Sequence, residues 1–236
     1  VYLLFAYILS RLVYSKGDKI HVATLSDKSI VQKTFKQNSK KITIRPNWID
    51  HDIFKPLNIQ KNNRILFVGR LNRQKNILLL VRALKSTGYT LDIVGDGEMS
   101  DSVKEMAHSL SVKVNFLGRI PNDSMPEVFN AYPVYVLCSD YEGNPKSLLE
   151  AMSCGTPVIG TNVPGIRDVT INNETGLLVE RDELALRKAI TTLLSDQSLS
   201  KRLANNAREY IVKNNCLDAA VSHEYETYKI LSSTDV

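Results

Sequence analysis

Tyr141 to Pro157 reads Y-E-G-N-P-K-S-L-L-E-A-M-S-C-G-T-P. An apolar run, Val134 to Cys138, precedes it and reads as a buried strand, so the stretch opens at the carboxyl end of a parallel sheet, where open α/β folds bind ligands. Gly143-Asn144 breaks the backbone, and Pro145 suits a first helical position because the N–H it lacks would have no partner there. Lys146 to Cys154 then reads as a helix closed by Gly155. The free N–H groups of Lys146 and Ser147, with the positive end of the helix, attract an anion, and a phosphate is the usual one. The break leaves Glu142 in the loop and Glu150 on the helix, so both carboxylates can face one ligand. A carboxylate beside an anion site makes sense when it accepts hydrogen bonds from neutral hydroxyls, such as the vicinal diol of a ribose or a sugar. The plainer alternative is a solvated loop glutamate and an ordinary surface glutamate on a helix.

Working outward, the alternation of elements is regular. Strand Ile65 to Val68 is followed by a helix from about Asn76 to Ser86, strand Leu91 to Val94, a helix from about Met99 to Leu110 and strand Val112 to Leu117. Repeated β-α steps imply a right-handed, doubly wound parallel sheet flanked by helices, an α/β fold. Ser124 to Ala131 reads as a short helix, Val158 to Gly160 and Gly176 to Val179 as strands, and Asp182 to Ser195 and Leu199 to Lys213 as helices. Leu217 to Leu231 has helical spacing, with Tyr225, Tyr228 and Leu231 on one face. Upstream, residues 2–14 read as a helix, Lys19 to Leu25 as a short strand, and Ser26 as the N-cap of a helix reaching Gln37. Arg45 to Pro56, rich in Pro, Asp and Asn, reads as an irregular connection.

Two cations sit on the same rim as the Pro145 helix start. Gly69-Arg70-Leu71 closes the Ile65 strand and Lys75 lies at the start of the next helix, so both side chains can meet an anion at that rim, the plainer alternative being a pair of solvated surface cations. Val94-Gly-Asp-Gly-Glu98 does not complete G-x-G-x-x-G, because position 100 is Ser, which argues against a nicotinamide enzyme. Asp96 and Glu98 read as a strand-end turn in preference to a metal pair. The four histidines, His21, His51, His108 and His223, have no ligand spacing, and no Ser-His-Asp or Cys-His constellation can be assembled.

The stretch Glu142 to Ile159 resembles the Glu-x7-Glu motif of the group 1 (family 4) retaining glycosyltransferases of GT-B architecture, down to the ending E-A-M-S-C-G-T-P-V-I. The G-R-L-x-x-x-K pattern at Gly69 to Lys75 matches the same family. The resemblance implies transfer of a sugar from a UDP- or GDP-linked donor to a glycan, lipid-linked or small-molecule acceptor hydroxyl, with retention and without a metal or other cofactor. Glu142, Arg70 and Lys75 are the implied catalytic groups: the cations hold the diphosphate and Glu142 contacts the donor sugar. Gly69, Gly143, Asn144, Pro145, Lys146 and Ser147 complete the implied donor contacts, Glu150 holds the ribose diol, and Ile120 lies near the base. Asn162 to Arg167 resembles a loop near the donor in which Gly165 permits close backbone approach, although as a turn it needs no ligand. Pro46 to Phe54 resembles the family's passage between domains, with Trp48 where a Gly is usual.

The implied organisation is a remnant of the acceptor-side domain at 1–50, a linker at 51–63, a Rossmann-like nucleotide-sugar domain at 64–214 and a C-terminal helix at 215–236. That helix either crosses back to the first domain or lies on the surface. Val1 is not Met, and the opening apolar run is too short to span a bilayer. The sequence therefore reads as part of a longer chain, expected to bind donor but to transfer little unless the missing N-terminal half is supplied. A non-catalytic nucleotide-sugar-binding module, a sugar-nucleotide epimerase and a structural α/β subunit are the rival readings.

With 236 residues, 43% hydrophobic and 23% charged, the chain has a globular composition. The net charge of +5 suits an anionic ligand and is compatible with peripheral contact at the inner membrane face, while the dispersed cations give no case for nucleic acid. Three cysteines without C-x-x-C spacing read as reduced and cytoplasmic.

Overall fold

A computed structural model of the chain describes residues 2–232. The chain divides between Asn47 and Trp48 into two compact units. The first contains α1 (Tyr2–Lys16), β1 (Ile20–Val22), α2 (Leu25–Phe35) and β2 (Ile42–Ile44). The two strands pair in parallel, Ile20 opposite Ile42, over a small core of Ile20, Val31 and Ile42. The N-cap of α2 is Thr24, not Ser26: Thr24 Oγ1 accepts from Asp27 N at 3.0 Å and donates to Asp27 Oδ2 at 2.8 Å. Those two bonds form a capping pair that a serine two residues later does not match. The first 47 residues hold nine Lys and Arg against two Asp and Glu, whereas the remainder holds twenty-one against twenty-three. All of the net positive charge therefore belongs to the smaller unit.

The second unit is built on six parallel strands: β3 (Ile65–Val68), β4 (Thr90–Val94), β5 (Lys113–Gly118), β6 (Val134–Leu137), β7 (Val158–Thr161) and β8 (Leu177–Val179). Their order is β5-β4-β3-β6-β7-β8. Within the unit this is third, second, first, fourth, fifth, sixth, so the winding reverses between β3 and β6 and opens a crevice beyond their carboxyl ends. Helices α3 (Ile77–Ala83), α4 (Ser100–Ser109), α5 (Met125–Asn130), α6 (Lys146–Ser153), α7 (Glu183–Ser195) and α8 (Gln197–Asn214) cover the sheet. Alternate strand residues face opposite cores, as parallel strands buried on both faces require. Ile65, Phe67, Val134 and Val136 join one core, and Leu66, Tyr135 and Leu137 join the other.

The segment after Trp48 is irregular but tightly held. Ile49 N donates to Asn215 O at 2.7 Å. Arg208 on α8 donates to Phe54 O at 2.7 Å, to Ser153 O at 2.9 Å and to His51 O at 2.8 Å, and Asn130 Nδ2 reaches Lys55 O at 2.9 Å. Such bonds supply the partners that backbone without secondary structure needs. The last helix, α9 (Leu217–Ser232), leaves Val221, Tyr225 and Tyr228 exposed. Leu231, expected on the same face, lies outside the described side chains.

Candidate donor site at the strand-order reversal

The loop leaving β3 is fixed by its neighbour. A Cβ on Gly95 would lie 2.1 Å from Gly69 O and one on Gly97 would lie 2.3 Å from Leu71 O, so only glycine lets the two strand-end loops touch. Leu71 N donates to Asp96 O at 2.7 Å, which registers one loop on the other. The G-D-G sequence is thus a backbone-packing device, with the Asp96 carboxylate paired to Arg119 Nε at 2.9 Å. Held on this loop, Arg70 is exposed and bonds to no side chain among the described residues.

Lys75 does not open the next helix as the sequence suggested. It ends a 3₁₀ turn, Arg73–Lys75, capped by Asn72 Oδ1 accepting from Lys75 N at 3.1 Å, and Asn76 in the left-handed region separates it from α3. The turn aims the ammonium across the crevice at Glu142, Nζ to Oε1 2.6 Å, with side chains only 17% and 7% exposed. Ser139 Oγ donates to the same Oε1 at 2.6 Å, and Thr161 Oγ1 donates to Ser139 O at 2.6 Å. Further bonds tie the two loops: Asp140 N to Gln74 O at 2.8 Å, Gln74 Nε2 to Tyr141 O at 2.9 Å and Asn76 Nδ2 to Asp140 Oδ1 at 2.9 Å. Glu142 is therefore held by protein, and Lys75 already has a counter-ion.

Pro145 caps α6 with no side-chain bond, and its carbonyl accepts from Leu148 N and Leu149 N at 3.1 and 3.3 Å. No described residue accepts from the amides of Lys146 and Ser147, so these two donors and the positive end of the helix remain available. Gly143 is exposed, Asn144 half-buried and Pro145 buried, making a short rigid approach to the helix. Beneath it the fully buried Tyr135 phenol hydrogen-bonds Ser147 Oγ at 2.9 Å. Burial pushes that phenol well above its ordinary pKa, and both Glu142 and Glu150 add to the rise, so one hydroxyl lies within electrostatic reach of both acids.

Glu150 differs from Glu142. It lines a cleft of about 310 Å³ with Gly69, Gly95, Arg119, Ile120 and Met125. Its carboxylate has no hydrogen-bond partner among the described residues. Burial raises its pKa above the ordinary glutamate value, opposed by Lys146 one turn earlier. A half-desolvated carboxylate that the protein leaves unpaired, opening onto a cleft, is suited to neutral donors such as hydroxyls. Ile120 shares that cleft. The crevice thus gathers Gly69, Glu150 and Ile120 into one cavity, and Lys75 with Glu142 into an adjacent pair.

Gly165 makes its close approach to protein. At φ +83°, its Cβ would lie 2.2 Å from Gly143 O and 2.3 Å from Glu142 O. The Asn162 to Arg167 loop therefore backs directly onto the acidic loop. Gly165→Ala is expected to cost about 1–3 kcal/mol from clash and left-handed strain. A urea titration showing an unchanged midpoint would contradict that close packing.

Sequence reasoning gave no role to Ser139, Thr161 or Tyr135, which hold the site from below, nor to Arg119 at its edge. The first three are buried in or just beyond strands, Arg119 is exposed at a strand end, and only the fold shows what each hydroxyl or the guanidinium meets. Among the described residues no group of three or more His, Cys, Asp or Glu could hold a metal ion. The cysteines are free and buried, with the thiols of Cys138 and Cys154 pushed up to about 12 by desolvation.

Residues 49–210 match the profile of the group 1 glycosyl transferases. The chain belongs to that family. It is 31% identical over 228 residues to an alpha-1,4-N-acetyl-D-galactosaminyltransferase of Campylobacter jejuni named for a diNAcBac-PP-undecaprenol-linked substrate, covering 93% of this chain and 61% of the relative. It is 29% identical over 209 residues to the UDP-Gal:alpha-D-GlcNAc-diphosphoundecaprenol alpha-1,3-galactosyltransferase of Escherichia coli, covering 79% and 53%. The chain thus spans less than two thirds of the length of either relative. Among solved structures, sucrose-phosphate synthase of Thermosynechococcus elongatus superposes with a TM-score of 0.88 at 24% identity, covering 97% of this chain and 62% of that one. HepE of Anabaena, solved with UDP and glucose, gives 0.80 at 19% identity, covering 92% and 63%. These superpositions establish the GT-B type of fold for this group 1 glycosyltransferase.

Proposed function

We propose that this chain carries the donor half of a family 4 glycosyltransferase that moves a sugar from a UDP- or GDP-sugar to an acceptor hydroxyl with retention of configuration. The observation that carries the reading is the unpartnered, half-desolvated Glu150 carboxylate in a cleft at the strand-order reversal, next to the free Arg70 guanidinium loop. Glu150 accepts hydrogen bonds from the ribose diol. Arg70 and the Lys146 and Ser147 amides neutralise the diphosphate. Lys75 can share its remaining N–H groups with a phosphate while staying paired to Glu142, because an ammonium has three donors. Charge on the leaving diphosphate is greatest in the transition state, so these groups favour sugar transfer most where the donor bond breaks. The leaving phosphate, so held, takes the proton of the acceptor hydroxyl.

The two undecaprenol-related relatives support a lipid-linked acceptor, and the charge distribution supports peripheral contact with an anionic membrane surface through the basic first unit. No described helix is long and apolar enough to cross a membrane. Because the relatives are longer, donor binding with little transfer is the expected behaviour of this chain alone.

Isothermal titration with UDP and GDP tests the donor reading. One of the two binds, and Arg70→Ala weakens it about tenfold, as expected for one exposed charge-assisted contact. No heat with either nucleotide would leave the crevice without its assigned ligand.

A further inference from the structure

Glu142 has two carboxylate oxygens, and the protein occupies one. Oε1 accepts from both Lys75 Nζ and Ser139 Oγ at 2.6 Å, while no donor among the described residues bonds to Oε2. Ser139 is fully buried immediately beyond β6, and its carbonyl accepts from Thr161 Oγ1, itself 1% exposed at the end of β7. Thr161 at one strand end thus holds the Ser139 backbone through its carbonyl, and the Ser139 hydroxyl in turn holds the loop carboxylate. Each member is buried against the sheet, so its geometry is set by the strands, not by the loop.

We propose that Ser139, held by Thr161, is a positioning residue that turns Glu142 so that Oε2 alone meets a single hydroxyl of the donor sugar. The proposal rests on the donor-site reading above. A carboxylate with one oxygen already doubly engaged is poorly placed to grip a diol with both oxygens. Glu150, with neither oxygen engaged by the described residues, can do so. The two acids of the crevice therefore divide their work: Glu150 grips two neighbouring hydroxyls, and Glu142 reads one hydroxyl at a fixed place. Lys75 pairs with Glu142, and Ser139 sets its direction.

The test compares the intact chain with Ser139→Ala, Thr161→Val and Thr161→Ser, each first shown to melt cooperatively. Probes are UDP and UDP-N-acetylgalactosamine, with GDP and GDP-mannose in parallel, and affinities are read by calorimetry. Ser139→Ala and Thr161→Val should keep the parent's affinity for the bare diphosphate within about twofold and weaken the nucleotide-sugar about tenfold. Thr161→Ser, which keeps the hydroxyl, should match the parent on both. Equal weakening of both ligands, or of neither, by Ser139→Ala and Thr161→Val would overturn the positioning role while leaving the donor site in place. A parent chain that binds none of the four probes would overturn the donor-site reading itself.

Discussion

Removing either member of the Lys75–Glu142 pair should destabilise the chain by roughly 3–5 kcal/mol, while removing both together should cost much less. The pair is tight and largely buried, 2.6 Å with exposures of 17% and 7%. Each single variant leaves a charge in the crevice without its counter-ion: Lys75→Met strands the carboxylate against Ser139, and Glu142→Leu strands the ammonium. The double variant Lys75→Met/Glu142→Leu strands neither. A double-mutant cycle by urea denaturation gives the comparison, and simple additivity of the two single effects would show that the ions do not depend on each other. The result bears on function too. Activity lost in Glu142→Leu alone could reflect a disturbed crevice, so the double variant is the fairer measure of what each group contributes to donor binding.

Glu150→Gln should separate stability from binding. Burial raises the Glu150 pKa in the folded chain, so the native state holds that proton more tightly than the unfolded state does. The associated stability is fully present below the unfolded value and is lost as pH rises through the folded pKa. Near neutral pH the ionised carboxylate is thus a net cost to folding, and the glutamine variant should melt no lower than the parent. Its affinity for the nucleoside diphosphate should nevertheless fall about ten- to a hundredfold, the worth of hydrogen bonds to a charged acceptor. In the parent, the same affinity should weaken as pH falls through the raised Glu150 pKa, and the variant should lack that dependence. Unchanged nucleotide affinity in Glu150→Gln would remove this carboxylate from the site.

The strands and helices were legible because their residue patterns are local. Ile65 to Val68 and Val134 to Leu137 are short apolar runs that have to be buried, and Pro145 and Gly155 mark the ends of α6 in the chain itself. The pairing of β3 with β6 was a different matter. It joins residues far apart in sequence, and only that pairing places the Gly69 loop beside the Glu142 loop. Thr24 was missed as a cap because Ser26 is an equally good cap by type, and the choice falls to the bond with Asp27. Lys75 falls two residues short of α3 because Asn72 closes a 3₁₀ turn, Arg73–Lys75, that helix periodicity does not register.

From its sequence alone the chain determined an α/β fold, an open helix end at a strand terminus and the two acids and two cations around it, since each follows from residue type and near spacing. Tertiary structure decided how they are shared. It gave Lys75 to Glu142 and left Arg70 free, set Gly165 against the acidic loop, and opened Glu150 to a cleft. Those outcomes depend on distances between segments that meet only when the sheet is assembled, and charge and hydrogen-bond energies change with such distances far more than with residue type.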